Sequence, residues 1–152
     1  MKRKEVIVDT NALLIPGEFG VDIFEELARL GYVHIIVPRM VVTELDRLRQ
    51  RPRLKGKEKI AANVGYSLIH KYTDTSGQEQ ERMPAGCTVS ISIEEGEGEK
   101  GEEDTDEMIA ALALKRRTAV LTNDEELRTK LSQAGIATVY LRGRNRLEEG
   151  SE

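Results

Sequence analysis

Three short apolar runs, each closing on a polar residue or a proline, constrain the fold of this chain more than anything else in it. EVIVDTNALL takes Val6 to Val8 straight into Asp9, VHIIVP takes Val33 to Val37 up to Pro38, and TAVLTND takes Ala119 to Leu121 into Thr122, Asn123 and Asp124. Runs without polar alternation suit strands covered on both faces, the condition of a parallel sheet. Between them the apolar period becomes helical. Val21, Phe24, Leu27 and Ala28 predict a helix over 21–30 closed by Gly31, and Val41, Leu45 and Leu48 predict a second that carries Glu44 beside its buried stripe. Further helices are expected over 57–71, 106–115 and 125–134, and a strand over 138–141. Val89, Ile91 and Ile93 alternate with Thr88, Ser90 and Ser92, the period of a half-exposed edge strand. Strands that alternate with helices in this way make an α/β fold.

Such a sheet gathers distant residues, because the carboxyl ends of parallel strands face one crevice. Asp9 and Asp124 follow strands, Glu44 stands one helical turn after Pro38, and Asp106 opens the helix DEMIAALAL. Four like charges brought together raise one another's pKa and call for a compensating cation. Oxygen donors suit hard ions such as Mg²⁺ or Mn²⁺. Cys87 is the sole cysteine, and His34 and His70 fit no zinc-ligand spacing. Taken singly, Asp124, Asn123 and Asp106 are explained as well by helix capping or the helix dipole, and Glu44 as solvated surface. Asp9 is not, since an acid ending a buried strand is costly without a partner. Independent caps also have no reason to gather at the ends of successive strands.

The formal net charge of −4 hides two opposed regions. Residues 94–107 hold nine acidic groups and one Lys, which leaves 22 basic against 18 acidic residues elsewhere. Arg47, Arg49, Arg51, Arg53, Lys55, Lys57 and Lys59 alternate through RLRQRPRLKGKEK with only Glu58 against them, the electrostatic footprint of a phosphate-binding surface. At 152 residues the chain suits one domain, expected over 1–143 with an acidic loop at 94–103, a polar loop at 74–86 and a flexible tail at 144–152. A single cysteine points to a reducing cytoplasm. Neither a signal peptide nor the roughly 20 apolar residues of a membrane span is present in the sequence.

Four segments then resemble the PIN-domain ribonucleases: hydrophobic-DTN-x-LL at Asp9 to Leu14, V-x-x-ELD-x-L at Val41 to Leu48, D-x-x-IAALA at Asp106 to Ala113, and LTND-x-EL at Leu121 to Leu127. LKGKEKIAA, at 54–62, further resembles archaeal PIN proteins related to nucleases that process small-subunit ribosomal RNA. The resemblance implies a three-layer sandwich with a mostly parallel sheet of about five strands, Mg²⁺ or Mn²⁺ in the acidic pocket, and hydrolysis of RNA. By the same resemblance Asp9, Glu44, Asp106 and Asp124 are the catalytic, metal-binding acids. Asn11, Thr122 and Asn123 orient them, and Asp104 is an extra acid beside Asp106. The acidic loop at 94–103 departs from the family pattern. The partners implied are RNA, with a second copy of the chain, a ribosome-assembly protein or an antitoxin left open.

Other functions fit less well. A haloacid-dehalogenase-like phosphatase needs a second Asp where Asn11 stands, and no glycine-rich nucleotide motif occurs. Two rivals remain: a PIN scaffold that binds RNA or a ribosome-assembly partner without cutting, and a VapC-type toxin nuclease.

Overall fold

The computed structural model of the chain describes residues 5–51, 56–73, 90–94, 105–143 and 146–150. Five strands run parallel: β1 (Glu5–Val8), β2 (His34–Pro38), β3 (Ser90–Glu94), β4 (Ala119–Leu121) and β5 (Thr138–Arg142). A sixth, β6 (Arg146–Gly150), runs antiparallel to β5. The sheet order is β3-β2-β1-β4-β5-β6, so β3 lies at an edge as its alternating pattern requires. From β1 the chain steps outward to β2 and β3, then returns to lay β4 on the other side of β1. The order therefore reverses between β1 and β4, where an α/β sheet opens its ligand crevice. Val8 pairs with Leu121, which sets the residues after both strands side by side at that point.

Helices cover both faces in three layers. They are α1 (Thr10–Leu13), α2 (Ile15–Phe19), α3 (Ile23–Arg29), α4 (Arg39–Gln50), α5 (Gly56–Thr73), α6 (Thr105–Arg116) and α7 (Glu125–Gln133). The apolar runs of β1, β2 and β4 bury Val6 to Val8, Ile35 to Val37, Val120 and Leu121 completely. Phe24 and Leu27 of α3, Val41 and Leu45 of α4, and Ile109 and Ala113 of α6 complete that core with no exposed surface. Two glycines let helices approach unusually closely. A Cβ on Gly17 would lie 2.4 Å from Ala61 Cα, and one on Gly65 would lie 2.3 Å from the Leu13 carbonyl oxygen. Among the described residues no helix is long and apolar enough to cross a membrane.

Two features depart from the sequence expectations. Residues 10–19 hold two short helices where periodicity shows none, and local chemistry makes them. The Asp9 carboxylate accepts the Ala12 N–H, Pro16 stands in the first turn of α2, and Gly20 closes that helix at φ 72°. The expected flexible tail at 144–152 is corrected over 146–150, which form β6 paired with β5 from Arg142↔Arg146 to Thr138↔Gly150. Only Leu147 in that run is apolar, so no periodic signal exists, and tertiary bonds supply the order instead. Leu147 is fully buried, its N–H donates to Glu26 at 3.0 Å, and its carbonyl accepts from Arg29 Nη2 at 2.9 Å. The Tyr32 hydroxyl donates to Glu149 at 2.8 Å. The polar loop at 74–86 and the acidic loop beyond Glu94 lie outside the described residues.

Candidate active site

Asp9 directly follows β1 and is 4 % exposed. Both carboxylate oxygens are engaged: Oδ1 accepts the Ala12 N–H at 2.8 Å, and Oδ2 accepts the Thr122 hydroxyl at 2.5 Å. The Asp9 N–H reaches the Leu121 carbonyl at 3.3 Å, which joins β1 to β4 one residue beyond their last pair. Burial pushes the Asp9 carboxyl from its ordinary 3.8 up to about 6. Hydrogen bonds from Thr122 and Ala12 oppose that rise, while the nearby charges of Asp106 and Asp124 add to it.

The other acids come from separate elements. Asp124 follows β4 and caps α7, with Oδ1 accepting the Glu126 and Leu127 N–H groups at 2.9 and 3.3 Å. Its own N–H donates to Thr122 Oγ1 at 3.1 Å, so Thr122 ties Asp9 to Asp124. Asp106 stands in the first turn of α6. Glu44, on α4, accepts the Thr10 hydroxyl at 2.6 Å, a bond across 34 positions that sequence reasoning missed. Nothing in the spacing of Thr10 and Glu44 signals it; it exists because α1 packs against α4.

These residues line one cleft of about 380 Å³ whose walls are Asp9, Thr10, Asn11, Glu44, Asp106 and Asp124 with Arg47, Leu48 and Arg51. All four sequence-derived acids and Asn11 are therefore brought together. Thr122 supports Asp9 from beneath. Asn123 acts elsewhere, its Oδ1 accepting the Leu141 N–H at 2.8 Å, which pins the loop after β4 to β5. Asp104, Arg53 and Lys55 lie outside the described residues.

The basic run divides by helical geometry. Arg47 and Arg51, four residues apart, reach the cleft from the end of α4. Arg49 turns away, bonding Asp46 at 2.8 Å and lying 3.9 Å over the Tyr66 ring of α5. Tyr66 in turn meets His70 at 4.4 Å between ring centroids. Arg49 thus braces α4 on α5. Lys57 and Lys59 stand in the first turn of α5.

The donor set suits a hard divalent cation, since every polar group in the cleft other than the two arginines offers oxygen or an amide. Among the described residues, however, no three His, Cys, Asp or Glu side chains are drawn together into a cage. Asp9 and Asp124 direct oxygens at backbone N–H groups instead. The cleft collects the acids without closing them.

Comparison with known proteins agrees with this architecture. A family model described as a PIN-like domain matches residues 6–83 and 73–144. Ribonuclease VapC9 of Archaeoglobus fulgidus is 27 % identical over 136 residues, 90 % of this chain and 82 % of its own length. The solved PIN domain endonuclease Utp24 is similar in fold with a TM-score of 0.65 and 18 % identity, over 97 % of this chain and 92 % of that one. A domain of a functionally unknown protein from Methanocaldococcus jannaschii has a TM-score of 0.55 and 23 % identity, over 98 % of this chain and 96 % of its own.

Proposed function

Since the chain belongs to the PIN-like domain family, we propose that it is a Mg²⁺- or Mn²⁺-dependent endoribonuclease that hydrolyses RNA phosphodiester bonds in the cleft at the β1/β4 switch. One observation carries the reading: Asp9, Glu44, Asp106 and Asp124, spread over 115 positions, line the same cleft. The raised carboxyl of Asp9 supports it, because burial beside two further acids is the environment that a divalent cation relieves.

Asp9, Asp106 and Asp124 would hold the ion, with Glu44 serving a second ion or orienting water. A bound divalent ion lowers the pKa of its water and neutralises charge on the leaving oxygen. The protein supplies orientation: the Thr122 hydroxyl fixes the Asp9 carboxylate, the Thr10 hydroxyl fixes Glu44, and Arg47 and Arg51 hold phosphate at the cleft mouth. No side chain needs to form a covalent intermediate.

Single-stranded RNA incubated with the protein and Mn²⁺ should be cut, and Asp9→Asn or a chelator should abolish the cutting. Cleavage by Asp9→Asn at the parent rate would sink the reading. Binding without cleavage by the parent would instead establish the scaffold. For the substrate we propose small-subunit ribosomal precursor RNA, supported by the resemblance at 54–62. The VapC9 relative is named a ribonuclease, which supports RNA as the substrate class, and an antitoxin encoded beside the gene would select the toxin reading instead.

A further inference from the structure

The cleft is flanked on one side only by the groups assigned so far. Arg47 and Arg51 approach it on α4, which packs against β2. On the other side of β4 lies the β5–β6 hairpin, one and two strand spacings away, or about 5 and 10 Å. Its tip lies at the carboxyl end of β5, the same sheet edge as the cleft.

There, Arg142 and Arg146 stand directly opposite each other across the two strands. Like charges in that relation destabilise a hairpin. One acid serves both: Glu148 accepts from Arg142 at 3.1 Å and from Arg146 at 3.0 Å. The arginine side chains remain 64 % and 61 % exposed, so a positive charge is left over on an open surface. Tyr140 pairs with Glu148 on the same face, and Arg128 of α7 lies 3.8 Å over its ring, which adds a third guanidinium. Arg128 Nε is buried without a hydrogen-bond partner. A like-charge pair joined to an unsatisfied buried donor is a local fault of the kind that functional sites retain. Arg146 also lies beyond the residues that match the family model, so family membership does not account for the pair.

We propose that Arg142 and Arg146, with Arg128 beside them, form a phosphate subsite that grips the RNA backbone on the β6 side of the cleft. The guanidinium fork suits phosphate oxygens, and such contacts fix register without reading sequence. Together with Arg47 and Arg51 this grips a strand on both sides of the acids, so the substrate class is the interior of a single strand rather than a chain end. The inference rests on the ribonuclease reading.

The test is Arg142→Gln with Arg146→Gln, against Arg142→Lys with Arg146→Lys. Binding of a long single-stranded oligonucleotide should lose about 1.4 from its log-log salt slope in the Gln pair, roughly 0.7 per phosphate contact, and nothing in the Lys pair. KM for the long strand should rise with kcat unchanged, while a trinucleotide is cut as by the parent. The melting temperature of the Gln pair should change little, because two exposed ion pairs to Glu148 are lost together with the repulsion between the arginines. An unchanged salt slope with unchanged KM overturns the subsite. An equal loss of binding to polyglutamate overturns it too, since the surface would then serve acidic proteins. If the parent cuts no RNA, the ribonuclease reading fails by itself, and the salt slopes still decide whether the arginines hold phosphate.

Discussion

Asp9 should give the protein a measurable pH signature. Its carboxyl titrates at about 6 in the folded state against an ordinary 3.8, so between about pH 4 and pH 6 the native state keeps a proton that the unfolded chain releases. Stability from this group is therefore present below the window and lost as pH rises through it, by about 3 kcal/mol at 1.36 kcal/mol per unit. Denaturant titrations of the metal-free parent and of Asp9→Asn should diverge across that window, with the variant the more stable at pH 7. Parallel curves would show that Asp9 does not carry the strain. Mg²⁺ should raise the melting temperature of the parent at pH 7 and much less at pH 5, where protons compete for the same oxygens. Thr122→Val should cost about 1–3 kcal/mol, since it leaves a buried carboxylate oxygen without its donor. The sequence disclosed Asp9 because an acid at the end of an apolar strand is physically odd. Thr10 stayed hidden because a bond across 34 positions leaves no local trace.

Elements that announce themselves by period were readable. β4 was legible residue for residue as Ala119–Leu121, and α4 and α6 followed from their apolar stripes and flanking breakers. The short helices α1 and α2 and the strand β6 were not, because capping and tertiary bonds hold them rather than apolar periodicity. Tyr32→Phe tests the hold on β6. Losing the hydroxyl bond to Glu149 should cost about 1 kcal/mol and speed hydrogen exchange in β6 before β1. Equal protection in both proteins would show that Leu147 packing alone secures the strand. Gly65→Ala tests a packing that reaches the cleft. Its Cβ would meet the Leu13 carbonyl at 2.3 Å, so α5 must retreat or α1 must shift, at about 1–3 kcal/mol. Because α1 begins on the Asp9 cap, the variant should also bind Mn²⁺ more weakly. Loss of stability with unchanged Mn²⁺ affinity would place the displacement in α5.

Across the whole molecule, charge is arranged around the sheet edge rather than along the sequence. The basic run read as one surface in the sequence because spacing says nothing about direction. In the fold Arg47 and Arg51 face the cleft, while Arg49 braces α4 against α5. Replacing Arg47 and Arg51 with Gln should flatten the salt dependence of RNA binding by about 1.4 in log-log slope. Arg49→Gln should leave the slope alone and cost about 1 kcal/mol of stability, from the lost stacking on Tyr66 and the exposed pair with Asp46. A steeper loss of RNA binding in Arg49→Gln than in the double variant would reverse these assignments. The Asp9 carboxylate joins these scales, since it caps α1, receives Thr122 beyond β4 and faces the cleft at once. On the ribonuclease reading, selection would therefore act on this position twice. A lineage that ceased to cut RNA would still be bound to keep a side-chain acceptor there, and drift should run to asparagine long before alanine. A surviving acceptor at position 9 in a distant relative would thus record the architecture of the junction, whether or not the chemistry persists.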